Sequence, residues 1–235
     1  MDVEALLHRV YVGVEGTSLR DEDRKKALEV RGFLEELKRV SPSQPLLDAA
    51  AGKAYVGLFA ASLLGFQRVT ALERDERRVA DAKRAAEVLG VTLDARVGEV
   101  GDASAWPAEC GVVVALHACG PASDDVIDAV VARQAPWLFL VPCCYSKTLR
   151  TWAAAQAKAD ALGVPSDAPL RAKFVQSMVD TERVLRLEAG GYETEVVSFV
   201  APTVTPHHLL FRARRTANPQ RQARARARLE AWTSP

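Results

Sequence analysis

From residue 45 to 143 short apolar runs alternate with amphipathic segments, and this alternation constrains the chain more than any other feature. PLLDAAAG reads as a strand and turn, KAYVGLFAASLLG as a helix closed by Gly65, RVTALERD as a strand, and ERRVADAKRAAEVLG as a helix closed by Gly90. VTLDARVGE, CGVVVALHACG and WLFLVPCCY read as further strands, with the helical SDDVIDAVVARQ between the last two. Such an order predicts a parallel sheet covered by helices on both faces, with ligands in the crevice beyond the carboxyl ends of the strands. The expected fold class is α/β, doubly wound and Rossmann-like.

The flanks differ from this pattern. Residues 1–40 read as a helical extension, with Ala27, Leu28, Val30, Phe33, Leu34 and Leu37 at helical spacing, Asp21 or Asp23 as cap, and Ser41-Pro42 as stop. After residue 148, helices are expected near 149–163 and 179–191, followed by YETEVVSFV and HHLLFRARR as an antiparallel strand pair on the sheet edge. The Arg-rich 215–235 reads as a helix or loose tail, which leaves 41–214 as the central domain.

Charge and cysteine usage narrow the function. Lysine and arginine number 31 against 30 acidic residues, and a net charge of +1 excludes strong non-specific attraction to nucleic acid. Any basic footprint must be local. The four cysteines form no C-x-x-C pair and fit reduced thiols in a cytoplasmic protein, and no apolar run reaches the roughly 18 residues of a spanning helix.

Two carboxylates at successive strand ends point to a cofactor. Asp48 precedes the small-residue turn AAAGKAYVG, where backbone can approach a nucleotide-like ligand closely, and Glu73 ends the next strand, where a carboxylate takes both hydroxyls of a ribose. Glu99 follows the third strand and suits an adenine amino group. The G-x-G-x-x-G spacing of dinucleotide enzymes is absent, so the set suits S-adenosylmethionine better than NAD.

DAAAGKAYVGLFAA, LERD, LHACGPASD, PCCY, MVDTERVLRLEAGGYE and the Thr-Pro loop before HLLF resemble, in this order, the S-adenosylmethionine-dependent methyltransferase domain of a tRNA 2'-O-methyltransferase family. The same domain occurs in less characterised methyltransferase-like proteins, one of them fused behind a glutathione transferase-like domain. The resemblance runs over about residues 25–214. It implies a seven-stranded methyltransferase fold, mostly parallel with an antiparallel carboxyl-terminal pair, and RNA as the leading substrate class, with a small molecule, a protein side chain or cofactor binding without turnover as alternatives. The cofactor set is then Asp48, Ala50, Gly52, Lys53, Tyr55, Glu73, Arg74, Glu99, Val100 and His117. Ala50 and Ala54 stand where that family has the first and third glycines of D-x-G-x-G-x-G, so a positive φ at either would be strained. His207 replaces the basic residue after Thr-Pro, and the chain has no counterpart of the tRNA enzymes' zinc-finger modules.

In that topology two strands end side by side in thiols, and the candidate catalytic residues are His117, Cys119, Asp124 and Tyr145, with Cys143, Cys144, Asp180 and Arg183 on the substrate side. Three readings of the cluster compete. In the first, His117 or Asp124 orients or deprotonates the acceptor while Tyr145 stacks on it or donates a hydrogen bond, since methyl transfer from a sulfonium needs chiefly alignment and desolvation. In the second, the thiols are small buried hydrophobes and His117 a satisfied core histidine. In the third, the cluster binds zinc or forms a redox pair. Adjacent cysteines are expected to point their side chains apart, so no metal is expected. Ser123 or Asp124 also suits a helix cap, and Lys53 and Asp180 suit exposed helix starts.

Overall fold

The computed structural model describes residues 2–13, 16 and 18–233. Seven strands, β1 (Leu46–Ala49), β2 (Val69–Glu73), β3 (Asp94–Val97), β4 (Val112–Cys119), β5 (Trp137–Cys143), β6 (Tyr192–Ser198) and β7 (Leu209–Arg215), form one sheet in the order β3-β2-β1-β4-β5-β7-β6. The first five are parallel, and β7 runs antiparallel to both β5 and β6. The late strands form the expected antiparallel pair on the sheet edge, with β7 next to β5 and β6 outermost. The strand order reverses between β1 and β4, which places the crevice at the ends of those two strands.

Burial on both faces explains why the central strands are mostly apolar rather than alternating, with Asp48, Thr70 and Glu73 as the buried polar residues of β1 and β2. On one face α1 (Val3–Leu7), α2 (Asp21–Leu37), α3 (Tyr55–Leu64) and α4 (Glu76–Leu89) share a core with the sheet. On the other, α5 (Ala122–Arg133) and α7 (Pro169–Ala189) cover it, with Tyr192 Oη donating to the Val130 and Ala135 carbonyls at 3.0 and 2.7 Å. A smaller core under α6 (Trp152–Ala161) joins Leu149, Ala155 and Ala159 to Val175 and Val179 of α7.

Helix α2 departs from the expected stripe in one respect. Leu28 is exposed and Glu29 is buried, so the face turned inward carries a carboxylate among Ala27, Val30, Phe33, Leu34 and Leu37. Phe33 anchors this face between Phe139 of β5 and Phe199, with ring centroids 6.5 and 6.2 Å away. Asp23 accepts the backbone N–H of Arg20 at 2.9 Å, which fixes the helix start.

Helix α7 begins at Pro169, ten residues before the segment expected to be helical. Proline at the first helical position has no N–H to lose there and a preset φ. The Arg-rich end is helix α8 (Pro219–Thr233): Arg221 pairs with Glu188 and Glu193 at 3.0 and 3.2 Å, Ala225 is buried, and Lys158 lies over the Trp232 ring. Arg224, Arg226 and Arg228 stay exposed. Among the described residues no helix is long and apolar enough to cross a membrane.

Gly32 sets how closely α2 approaches the sheet. A Cβ there would run into the Phe199 carbonyl oxygen and lie 2.7 Å from Val200 Cγ1. Gly32→Ala is expected to lower stability by about 1–3 kcal/mol, an overpacking cost, and urea unfolding measures it. An unchanged midpoint would mean that α2 shifts freely.

Candidate functional site

The carboxyl ends of β1 and β4 open into two adjoining clefts of about 480 and 420 Å3, which share Ala50, Arg78, His117 and Cys119. All ten residues of the expected cofactor set line one or the other. Glu73, Arg74, Glu99 and Val100 lie in the first, Asp48, Gly52, Lys53 and Tyr55 in the second, and Ala50 and His117 in both.

The two strand-end carboxylates hold the turn between them. Asp48 is buried and accepts the Gly57 N–H at 2.9 Å; burial pushes its carboxyl up to about 7, the Gly57 bond opposes this, and the charge of Glu73 adds to it. Glu73 accepts the Gly52 N–H at 2.7 Å and the Asp75 N–H at 3.1 Å. Each Glu73 oxygen thereby keeps a lone pair, so the carboxylate can still receive a diol. A cleft of this size with a carboxylate at the end of β2, beside a turn whose backbone is bare, fits an adenosine-bearing cofactor.

The turn is strained where the sequence departs from glycine. Ala50 and Ala54 have φ of 53° and 55°, the left-handed region that costs an L-residue about 1–2 kcal/mol. Lys53 does not reach freely into solvent: its ammonium lies 5.0 Å over the Tyr11 ring and its carbonyl accepts from Tyr11 Oη. Tyr11 also packs edge-on against Tyr55 at 4.9 Å.

His117 sits at a bulge where the β4–β5 register slips between Leu116 and Ala118, with φ at 64°. The bulge turns its ring out of the strand alternation toward α2, where Nε2 lies 3.0 Å from the Glu29 carboxylate. Burial alone would raise the Glu29 carboxyl, but hydrogen bonds from His117 and Lys26 outweigh it and hold it at about 2. The His207 ring stands edge-on to His117 at 6.1 Å, and burial followed by the His117 charge lowers its imidazole from the ordinary value.

The two thiol ends meet directly, for Cys119 and Cys143 are register partners of β4 and β5. Cys119 Sγ lies 2.9 Å from Cys143 Sγ and 3.4 Å from Cys144 Sγ. The expectation that Cys143 and Cys144 diverge is corrected here. Cys144 has φ at 58°, which folds its side chain back to the side of its neighbour, and the three sulfurs lie within 4.8 Å of one another. Burial pushes the Cys119 and Cys143 thiols up, which disfavours a nucleophilic thiolate.

Asp124 and Arg183 do not face the clefts. Asp124 is buried and accepts from Arg183 Nε at 3.0 Å and from Arg186; Arg183, with no exposed surface, also reaches Asp180 at 3.3 Å. Tyr145 Oη donates to Asp180 at 2.7 Å, and its ring lies over the Arg183 guanidinium. These residues, assigned above to catalysis or substrate, form an ion network that ties α5, α7 and the end of β5 together. Neither Ser123 nor Asp124 caps α5: the Ser123 hydroxyl donates to the Ala118 carbonyl at 2.6 Å.

Sequence reasoning missed Lys26, Glu29 and Arg78 among the lining or supporting groups. A signal for Glu29 existed, since a carboxylate set among inward-facing apolar positions must have a buried partner. Arg78 lies in the first turn of α4, beyond the strand-end positions that the pattern singles out.

A family model described as a methyltransferase domain matches residues 25–151. A glutathione S-transferase C-terminal domain-containing protein of Mus musculus is 25% identical over 195 residues, 72% of this chain and 30% of its own length. The chain thus spans about a third of that relative. Among solved structures, the Methanococcus jannaschii fibrillarin pre-rRNA processing protein superposes with a TM-score of 0.53 at 14% identity, covering 76% of this chain and 69% of its own. The Pyrococcus abyssi tRNA (uracil-54, C5)-methyltransferase in complex with S-adenosyl-L-homocysteine gives 0.45 at 13% identity, covering 79% and 38%.

Two outcomes follow from the strain and the ion pair. Ala50→Gly, at a partly exposed position where little burial is lost, is expected to raise stability by about 1 kcal/mol, visible as a higher melting temperature. A lower one would show that the methyl packs usefully. Glu29 has its folded-state carboxyl at about 2 against an ordinary 4.5, so its contribution is complete above 4.5 and fades as pH falls towards 2. Urea unfolding across that window should show the wild type losing on the order of 2 kcal/mol more than Glu29→Gln. Parallel curves would remove the ion pair.

Proposed function

This chain belongs to the methyltransferase-domain family, and on that premise we propose that it transfers a methyl group from S-adenosylmethionine to RNA. S-adenosylmethionine, the cofactor of the family, supplies an electrophilic methyl group on a sulfonium. The observation that carries the reading is the placement of Glu73 and Asp48 at the ends of β2 and β1, on either side of the bare turn and opening on the two clefts. Glu73 would hold the ribose hydroxyls, Glu99 and Val100 the adenine edge, and the turn from Ala50 to Lys53 the methionine end.

The acceptor reading rests on what surrounds His117. Lys26, Lys53, Arg74 and Arg78 ring the clefts, with the Arg74 and Arg78 side chains 75% and 55% exposed. Cations at the rim of a cleft suit an acceptor flanked by phosphates. His117 then takes the proton from the accepting hydroxyl or ring nitrogen as the methyl group arrives. Glu29 positions the imidazole through Nε2, which leaves Nδ1 as the ring atom that would meet the acceptor.

Calorimetric titration of S-adenosylhomocysteine into wild type and Glu73→Gln tests the cofactor site. Saturable binding weakened about tenfold or more in the variant is expected, since a charged acceptor of two hydroxyl hydrogen bonds is lost. Transfer of labelled methyl from the cofactor to cellular RNA, strongly reduced in His117→Ala, tests the acceptor. Cofactor binding without label in RNA would overturn the RNA assignment, and no binding by ligand-free wild type would overturn the whole proposal.

A further inference from the structure

Thiols at the ends of adjacent parallel strands need not converge. Here three do, and the third comes from a residue held in a costly conformation: Cys144 adopts φ at 58°, where a side chain is disfavoured. Without that turn Cys144 would point away from Cys143, as neighbours in an extended chain do. The cluster is also braced. The Gly120 N–H donates to the Cys143 carbonyl at 3.2 Å, locking the β4 and β5 ends, and Tyr145, next in the chain, is fastened to Asp180 at 2.7 and 2.9 Å. Local strain maintained by surrounding structure is the mark of a site with a purpose.

We propose that Cys119, Cys143 and Cys144 form a three-thiolate site for a thiophilic divalent cation of the zinc type, with its fourth position open toward the clefts. In a tetrahedral zinc–thiolate site with Zn–S near 2.3 Å the sulfurs stand roughly 3.8 Å apart. The spacings of 2.9 and 3.4 Å are shorter than that value and all three sulfurs lie within 4.8 Å, so the thiols would have to part by less than about 1 Å to admit the ion. Cys143 is buried and would form the floor, while Cys119 and Cys144 are exposed and Cys119 lines both clefts. Three protein ligands with one position left for water or substrate is the arrangement of reactive rather than purely structural zinc sites. A Cys119–Cys143 disulfide would use neither the third thiol nor the strain at Cys144, and a Cys119–Cys144 disulfide would leave the Cys143 thiol unused. Each thiol that ligates gives up its proton, so loading releases protons to the buffer. The proposal does not depend on methyl transfer.

The test uses untagged full-length protein, reduced and stripped with a chelator, then titrated with zinc against a chromophoric competitor. One equivalent is expected to bind, with a Kd below about 1 μM. Cys144→Ala, an exposed position outside the core, should weaken binding about 100-fold or more with the melting temperature in the absence of metal little changed. Cys143→Ser should weaken binding likewise, with a lower melting temperature because it places a hydroxyl at a buried position, and Cys110→Ser should leave binding unchanged. Cobalt(II) in place of zinc should give intense thiolate-to-metal charge-transfer absorption, lost in Cys144→Ala. Failure of the reduced wild type to take up zinc overturns the proposal. So does affinity that survives Cys144→Ala, or a Cys119 disulfide in the isolated protein together with no zinc uptake after reduction.

Discussion

Arg183 has no exposed surface, and a guanidinium that cannot lose its proton must find its partners inside the protein. It finds Asp124 on α5 and Asp180 one turn back on its own helix, with the Tyr145 ring against its face. The consequence reaches beyond the ion pairs. Because Tyr145 also donates to Asp180, the segment leaving β5 is held against α7, and that segment begins with Cys144. A network remote from the clefts thus fixes the chain at their edge. Removing one member would leave a buried charge uncompensated, which costs more than the pair contributes when intact.

Strain is concentrated where the sheet meets its clefts. Ala50 and Ala54 follow β1, His117 lies within the end of β4, and Cys144 follows β5, all with positive φ and all without the glycine that would make it easy. Each has a compensating contact nearby. The turn holding Ala50 is tied by Gly52 to Glu73, His117 is held by Glu29, and Cys144 lies between a locked strand end and the anchored Tyr145. Ala50 and Ala54 therefore take up left-handed positions that glycine would occupy without cost, and the contacts around them hold the turn.

Much of this was legible in the sequence, and the reason is physical. Strands buried on both faces must be mostly apolar, so the alternation from 45 to 143 declared the sheet, and the carboxylates at its strand ends stood out because they interrupt apolar runs. That β7 rather than β6 lies next to β5 was hidden, since two late strands look alike whichever pairs with β5. The early start of α7 was hidden because its first turns carry a mixed pattern, and the convergence of Cys143 with Cys144 because it depends on one backbone angle that composition does not reveal. Asp124 and Arg183 misled for a related reason. A charged residue beside a motif looks the same whether it faces a cleft or another charge, and only the packing of α5 on α7 decides.

The least legible part of the site is the helix that lies outside it in sequence. Helix α2 reads as a docking helix, and its phenylalanine anchor makes it one, yet Lys26 lines a cleft and Glu29 fixes the one histidine shared by both. The two roles are coupled. Gly32 permits the close approach to the Phe199 backbone that sets the height of α2 above the sheet, and that height brings Glu29 within 3.0 Å of His117. A helix packed further out would part Glu29 from His117 and leave Lys26, on the same helix, to offset its buried charge. The amino-terminal helix and the sheet end therefore specify one another: the buried carboxylate draws a second partner from the sheet, and the strained histidine is held by the helix.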